Sequence, residues 1–283
     1  MIVRAATQAD IPAIAAILAA NGEHVTRPDM PGAPYVEHIV GRPGARIVVG
    51  ELDGSVAGIA GSIEVGGPRQ RFLTDLYVDP ARQSRGVGRA VLEAAMDGAD
   101  ERMTFSSRDP RALAAYVRNG MRPWWPMFYV EVPAGRLGDH DKGVEVRPAD
   151  VAETAQLSLA WTGVDRSVDF TFYARFPDSA GFAIYIDGGL AAVGWAGRES
   201  EAVGGRWLEH ASIAPDADPA RTAFAILRAA AGDERLGAAL PGPHPAVAPL
   251  FELGVRFSDV DQFCATDRDL LDPDRIIPSP GLL

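Results

Sequence analysis

The sequence is poor in the residues from which several function classes are built. Its 283 residues include one cysteine, Cys264, so no intrachain disulfide and no cysteine-based zinc cluster can form. The histidines His24, His38, His140, His210 and His244 never fall at a spacing such as H-x-x-x-H, and a metal site is not expected. Lys142 is the sole lysine, and 27 basic residues face 38 acidic ones for a formal net charge of −11. That sign, without any run of Lys and Arg, argues against a nucleic-acid partner. Long hydrophobic runs are missing too. The longest, Ile11–Ala20, falls well short of the roughly 20 residues a membrane span needs. The first residues, Met-Ile-Val-Arg, lead into a strand pattern without an apolar signal core, so a cytoplasmic protein off the membrane is expected.

What remains, 47% hydrophobic and 23% charged residues, is the composition of a globular protein of one large or two ordinary domains. Ile2 to Ala5 reads as a strand, and Thr7 with Asp10 as a cap for a helix carrying Ile11, Ile14, Ile17 and Leu18. Residues 46–52 and 55–65 around Asp53-Gly54 read as a β-hairpin. After Gly66-Gly67-Pro68 a strand runs from Phe72 to Val78, and a glycine-containing loop leads to a helix bearing Val91, Leu92 and Ala95. A strand near residues 103–106, a helix from Pro110 stopped by Gly120, and a strand near 127–132 follow.

Residues 133–143 lack periodicity and read as a linker. Beyond it the chain repeats itself. Val146-Arg147-Pro148-Ala149 echoes Val3-Arg4-Ala5-Ala6, and Asp187-Gly188 echoes Asp53-Gly54. At an offset of 215 − 80 = 135, residues 76–80 lie on 211–215 and 91–95 on 226–230, and at 134 Gly120 meets Gly254. Two α/β copies are expected, over 1–135 and 144–283, each a mixed, mostly antiparallel sheet flanked by helices.

Between the strand ending at Val78 and the next helix stand Gln83, Ser84, Arg85, Gly86, Val87, Gly88 and Arg89. Glycines there let backbone N–H groups converge on an anion at a positive helix end, and the arginines add charge. An ordinary strand-to-helix turn with solvated arginines is the other reading of that stretch. Leu76-Tyr-Val-Asp-Pro80 followed by Gln83-x-x-Gly86-x-Gly88 resembles motif A of the GNAT acyltransferases. Ala112-Leu-Ala-Ala-Tyr116-Val-Arg-Asn-Gly120-Met121 resembles their motif B. The motifs come in the family's order and spacing, and residues 3–10 are similar to its usual opening. The likeness is strong over 1–132 and a weaker echo over 144–266.

The resemblance implies a first copy that binds acetyl-CoA and acetylates a primary amine of a small molecule or peptide, with no metal, as a monomer or homodimer. It assigns the backbone of Leu76, Tyr77 and Val78 to the pantetheine arm, residues 83–89 to the pyrophosphate, and Asp109 to a coenzyme contact where many members carry asparagine. Met121 stands where phenylalanine is usual. A non-catalytic acyl-CoA sensor or scaffold is the competing class.

The chemistry asks for a base, because freeing an alkylamine of pKa about 10.4 at pH 7 costs about 4–5 kcal/mol. Asp75 is the nearest candidate, on the face of Leu73 and Tyr77 if the strand alternates regularly; a solvated acid or an arginine partner is its alternative role. Glu64, Glu23 and His24 are weaker candidates. Tyr116 would stabilise the leaving thiolate by donating a hydrogen bond, or else simply pack beside Leu113. Backbone N–H groups near residues 76–78 would polarise the acyl oxygen.

In the second copy the offset puts Arg221 and Ala223 at Gly86 and Gly88, and Leu250 at Tyr116. A degenerate copy that shapes substrate or structure follows, with Trp207, Glu209 and His210 near the corresponding strand. Residues 22–34, with Glu23, His24 and Asp29, are expected to line the acceptor side. The acidic surplus, dense at Asp259, Asp261, Asp267, Asp269, Asp272 and Asp274, would favour a cationic acceptor or else serve only solubility.

Overall fold

The computed structural model describes residues 1–23, 32–67, 69–139, 141–200 and 203–283. Pro68, His24, Asp29 and His140 therefore lie outside the described residues. The chain divides into two compact units. Unit 1 comprises Met1–Thr104, Ala114–Arg122 and Ala265–Asp267, and unit 2 comprises Phe105–Leu113, Pro123–Cys264 and Arg268–Leu283.

Unit 1 opens with β1 (Ile2–Ala5) and α1 (Ile11–Ala20). The Asp10 carboxylate accepts from Thr7 N–H and Oγ1 and takes the Arg4 guanidinium, fixing the turn into the helix. A short helix absent from the sequence reading, α2 (Pro34–Gly41), starts with Pro at its first position. Next come β2 (Ala45–Leu52) and β3 (Ser55–Glu64), the expected hairpin, turned by Asp53 and Gly54 at φ 54° and 78°. The strand β4 (Gln70–Val78), the helix α3 (Val87–Ala95), β5 (Glu101–Ser106) and α4 (Pro110–Arg118) follow, the last two shared between the units. The order is β1-β2-β3-β4-β5, antiparallel except for the parallel β4–β5 step.

Two glycines place α3. Gly50 and Gly58 face each other across β2 and β3. A Cβ on Gly50 would come within 2.9 Å of Val87 Cγ1, and one on Gly58 within 2.7 Å. The missing side chains make the hole into which the first residue of α3 sinks, so the helix starts close against the sheet.

Unit 2 holds β6 (Arg122–Val132) from Pro123 onward, then β7 (Val144–Ala149), α5 (Val151–Thr162) and α6 (Ser167–Tyr173). It continues with β8 (Ala180–Ile186), β9 (Gly189–Ser200), β10 (Gly205–Ile213), α7 (Pro219–Ala231), β11 (Leu236–Pro241), α8 (Val247–Glu252), β12 (Arg256–Ala265) and β13 (Ile276–Ile277). Its order is β12-β6-β11-β10-β9-β8-β7, with β13 added to β10. The repeat is visible in the details: Asp187-Gly188 turns β8 into β9 with φ 53° and 85°, and Gly120 and Gly254 have φ 84° and 79° after α4 and α8.

The units do not divide the chain at 135/144 as expected. The strand β6, sequentially the end of the first copy, runs antiparallel to β11, and residues 133–139 stay with unit 2. Leu137 is buried in that unit's core and its carbonyl accepts from Arg228 Nε at 2.8 Å. In return, Thr266 at the end of β12 belongs to unit 1, where its N–H donates to the Arg102 carbonyl at 2.9 Å. Both strands have the hydrophobic alternation of a last sheet strand, and that pattern does not encode which sheet receives it.

Candidate active site

The expected strand, glycine loop and helix follow one another as β4, residues 79–86 and α3. A bulge marks β4: Leu73 pairs Ser62 and Asp75 pairs Gly61, leaving Thr74 without a partner on β3. Regular alternation, on which the face assigned to Asp75 depended, is therefore broken. On the other side β4 pairs with β5 only through Gln70, Arg71 and Phe72. Beyond the bulge the backbone of residues 75–78 is held by β3 on one side and carries no β5 partner on the other.

The loop after β4 is shaped for an anion. Gly86 at φ 82° is the N-cap of α3, and Ser84 also takes positive φ at 64°. Gly86 has no side chain with which to cap this helix. In unit 2, α7 begins with Asp218 accepting from Arg221 N–H at 2.7 Å. The N-cap residue thus satisfies none of the first N–H groups of α3, whereas that of α7 satisfies one. A Cβ at Gly86 would meet nothing within 4 Å, so the space over the cradle is open. Arg85 and Arg89 are exposed, at 3.7 Å from Asp53 and 3.4 Å from Glu93, pairs too wet to hold them away from a phosphate. The residues present fit a pyrophosphate.

Asp75 is buried, with 5% of its surface exposed, and Tyr35 on α2 donates to its Oδ2 at 2.9 Å. Burial pushes its carboxyl up to about 6, opposed by hydrogen bonds and assisted by the negative charge of Glu23. Tyr77 donates to Glu23 Oε1 at 2.7 Å. Its phenol is held well above the ordinary tyrosine range, first by burial and then by Glu23, Asp75 and Tyr116. Tyr116, buried on α4, therefore belongs to the same group. Two carboxylates and three tyrosines converge beside the open edge of β4.

Other candidates are engaged elsewhere. Glu64 pairs at 3.2 Å with Arg71, whose buried guanidinium also donates to Ser62 and to the Gly44 carbonyl. Its role is to neutralise Arg71. Asp109 accepts from Arg111 N–H at 2.8 Å and pairs with that side chain, so it caps the start of α4 within unit 2, and its carboxyl lies below its ordinary value. Of the acidic residues near the C-terminus, Asp259 pairs with Arg108 and Asp261 accepts from Tyr129. Tyr35 was missed by sequence reasoning. Only the Pro at the start of its helix signalled that region, and nothing local links residue 35 to residue 75.

Residues 15–121 match the acetyltransferase (GNAT) family. A mycothiol acetyltransferase of Nocardia farcinica is 36% identical over 96 residues, which span 32% of this chain and about a third, 31%, of that protein. Among solved structures, a Pyrococcus horikoshii chain assigned as an acetyltransferase superposes with TM-score 0.69 at 16% identity, covering 100% of this chain and 94% of its own. A tandem GNAT protein from the clavulanic acid biosynthesis pathway superposes with TM-score 0.60 at 14% identity, covering 93% and 97%. A GCN5-related N-acetyltransferase from Sphaerobacter thermophilus gives 0.59 at 16% identity, covering 93% and 94%. At these identities the likeness is one of fold: both halves have the GNAT architecture, in tandem. Among the described residues no helix is long and apolar enough to cross a membrane, and no cluster of His, Cys, Asp and Glu is placed to hold a metal ion.

Proposed function

We propose that unit 1 transfers the acetyl group of acetyl-CoA to a primary amine of a small molecule or peptide. The observation that carries this is the glycine-capped start of α3 beside the stretch of β4 that has no β5 partner. One can hold a pyrophosphate and the other a pantetheine arm as an added strand. In this reading Gln83, Ser84, Arg85, Gly86, Val87, Gly88 and Arg89 form the phosphate cradle, and the backbone of Leu76, Tyr77 and Val78 takes the arm.

The amine nitrogen attacks the thioester carbonyl, and the carbonyl electrons move to oxygen, where backbone N–H groups near Leu76 receive the charge. The nitrogen gives a proton to Asp75, directly or through water. The oxyanion then collapses, the C–S bond breaks, and the thiolate leaves beside the Tyr116 hydroxyl. A carboxyl raised from 3.8 to about 6 is some two units closer to the amine, which removes about 3 kcal/mol from an uphill proton transfer. A phenol is ordinarily a weaker acid than a thiol by about 1.5 units, so Tyr116 acts by donating a hydrogen bond to the thiolate. Glu23, bonded to Tyr77 near the mouth of this group, would draw an ammonium ion toward Asp75.

A screen for thiol release from acetyl-CoA across small amines, aminoglycosides and peptide N-termini tests the reading. Amine-dependent release supports it. Tight coenzyme binding with no release by any amine would favour the sensor.

A further inference from the structure

Unit 2 repeats the open edge of β4 and fills it from its own chain. The equivalence rests on three features besides sequence. β10 is bulged at Glu209, since Leu208 pairs Ala196 and His210 pairs Trp195, and Glu209 lies 135 residues after the bulged Thr74. Parallel pairing of β10 with β11 stops at Trp207, just as that of β4 with β5 stops at Phe72. The next hairpin-side bonds also match: Asp79 N–H donates to the Ala57 carbonyl at 2.9 Å, and Ala214 N–H to the Ala191 carbonyl at 2.8 Å. Because successive amides of a strand point to opposite sides, Val78 N–H and Ile213 N–H both face the gap between the splayed strands.

In unit 2 that gap is occupied. Ile213 N–H donates to the Arg275 carbonyl at 2.8 Å, and β13 continues antiparallel along Ser212 and Ala211. Arg275 Nη1 clamps the segment to the Ala214 and Ala217 carbonyls at 2.9 and 2.7 Å. Further on, Arg166 donates to the Leu282 carbonyl at 3.1 Å, and Leu282 and Leu283 are buried. Beneath lies His210, buried in the place of Asp75, with Nε2 at 3.0 Å from Ser212 Oγ. Burial and the neighbouring Arg166 keep this imidazole neutral.

We infer that the splayed-strand groove of unit 2 is a strand-binding site whose ligand is an extended segment of the same chain, residues 275–277, seated where the proposed function puts the pantetheine arm in unit 1. The equivalence to the arm rests on that proposed function; the occupancy does not. Unit 2 is closed to a coenzyme twice over, by this segment at the strand edge and by Asp218 at the helix start.

Hydrogen exchange by mass spectrometry on the full chain, with and without acetyl-CoA, tests this. The peptide containing residues 211–214 should exchange at least 100-fold more slowly than an unstructured amide in the free protein and be unchanged by saturating acetyl-CoA. Arg275→Ala should speed it tenfold or more while residues 76–79 keep their response to acetyl-CoA. Fast exchange at 211–214 in the free protein overturns the inference. So does protection there that acetyl-CoA raises while 275–277 loses it, or that survives Arg275→Ala in full. Failure of 76–79 to respond to acetyl-CoA would instead count against the coenzyme site in unit 1, and leaves the result at 211–214 to be read by itself.

Discussion

Replacing Asp75 by asparagine separates what this side chain does for catalysis from what it costs the fold. The folded carboxyl holds its proton up to about pH 6, whereas in an unfolded chain it releases it near 3.8. Between these values the native state binds more protons than the unfolded state, so stability falls as pH rises through the window and is lowest above it. Two units correspond to about 3 kcal/mol at neutral pH. Asparagine has nearly the same shape, retains an oxygen to accept from Tyr35, and never ionises. Asp75→Asn should therefore leave unit 1 unchanged at pH 4 and stabilise it by about 1–3 kcal/mol at pH 8. At the same time kcat/KM should fall by roughly 10²–10⁴ and lose its rise through pH 6, as for removal of a general base. Urea-dependent hydrogen exchange in β2 to β4 reads the stability of unit 1 at both pH values. Equal effects of the substitution at pH 4 and pH 8 would refute the reasoning, because the carboxyl would then not be paying for its burial.

Gly86→Glu should abolish acetyl-CoA binding by placing a side chain and a negative charge in the cradle, while the strained φ costs the fold only about 1 kcal/mol. Arg221→Glu, which loses pairs with Asp187 and Asp141 and a bond to the Lys142 carbonyl, should leave binding intact; calorimetry with two equivalent sites would contradict both expectations. Tyr116→Phe should keep coenzyme affinity and lower the rate by roughly 10², and unchanged turnover with chemistry rate-limiting would return Tyr116 to packing. Tyr35→Phe removes a donor that lowers the Asp75 pKa, so the rising limb of kcat/KM should move to higher pH; a limb that stays in place would show that Tyr35 does not set the base. For matched cationic and neutral acceptors, added salt should slow only the cationic one as screening shortens to a Debye length of about 8–10 Å, and equal responses would remove charge from acceptor selection.

Much of the site was legible because it is local. The strand end Leu76 to Val78, the loop through Gly86 and the start of α3 form one continuous stretch, and glycine at a positive-φ cap is a choice the residue type itself announces. Asp75 was legible as a strand acid, but not its burial, which depends on the bulge at Thr74 and on α2 folding over it. Glu64 stood as a weaker candidate base, since the Arg71 it serves becomes buried only when β2, β3 and β4 assemble. The repeat was readable from the offset of 135, yet not the insertion of β6 beside β11, nor the return of β13 onto β10. Those pairings join segments with no shared local signal, and a strand's apolar alternation fixes its face without naming its neighbour.

The central claim, that unit 1 is an amine acetyltransferase, is tested most directly by following thiol release from acetyl-CoA with cationic amines, with the acetylated product identified by mass. Wild-type protein should release thiol only when an amine is present, one acetyl group per thiol, and Asp75→Asn should reduce that rate at least a hundredfold with coenzyme affinity unchanged. Saturable binding of acetyl-CoA with release that no amine accelerates, or release that Asp75→Asn leaves intact, would contradict it.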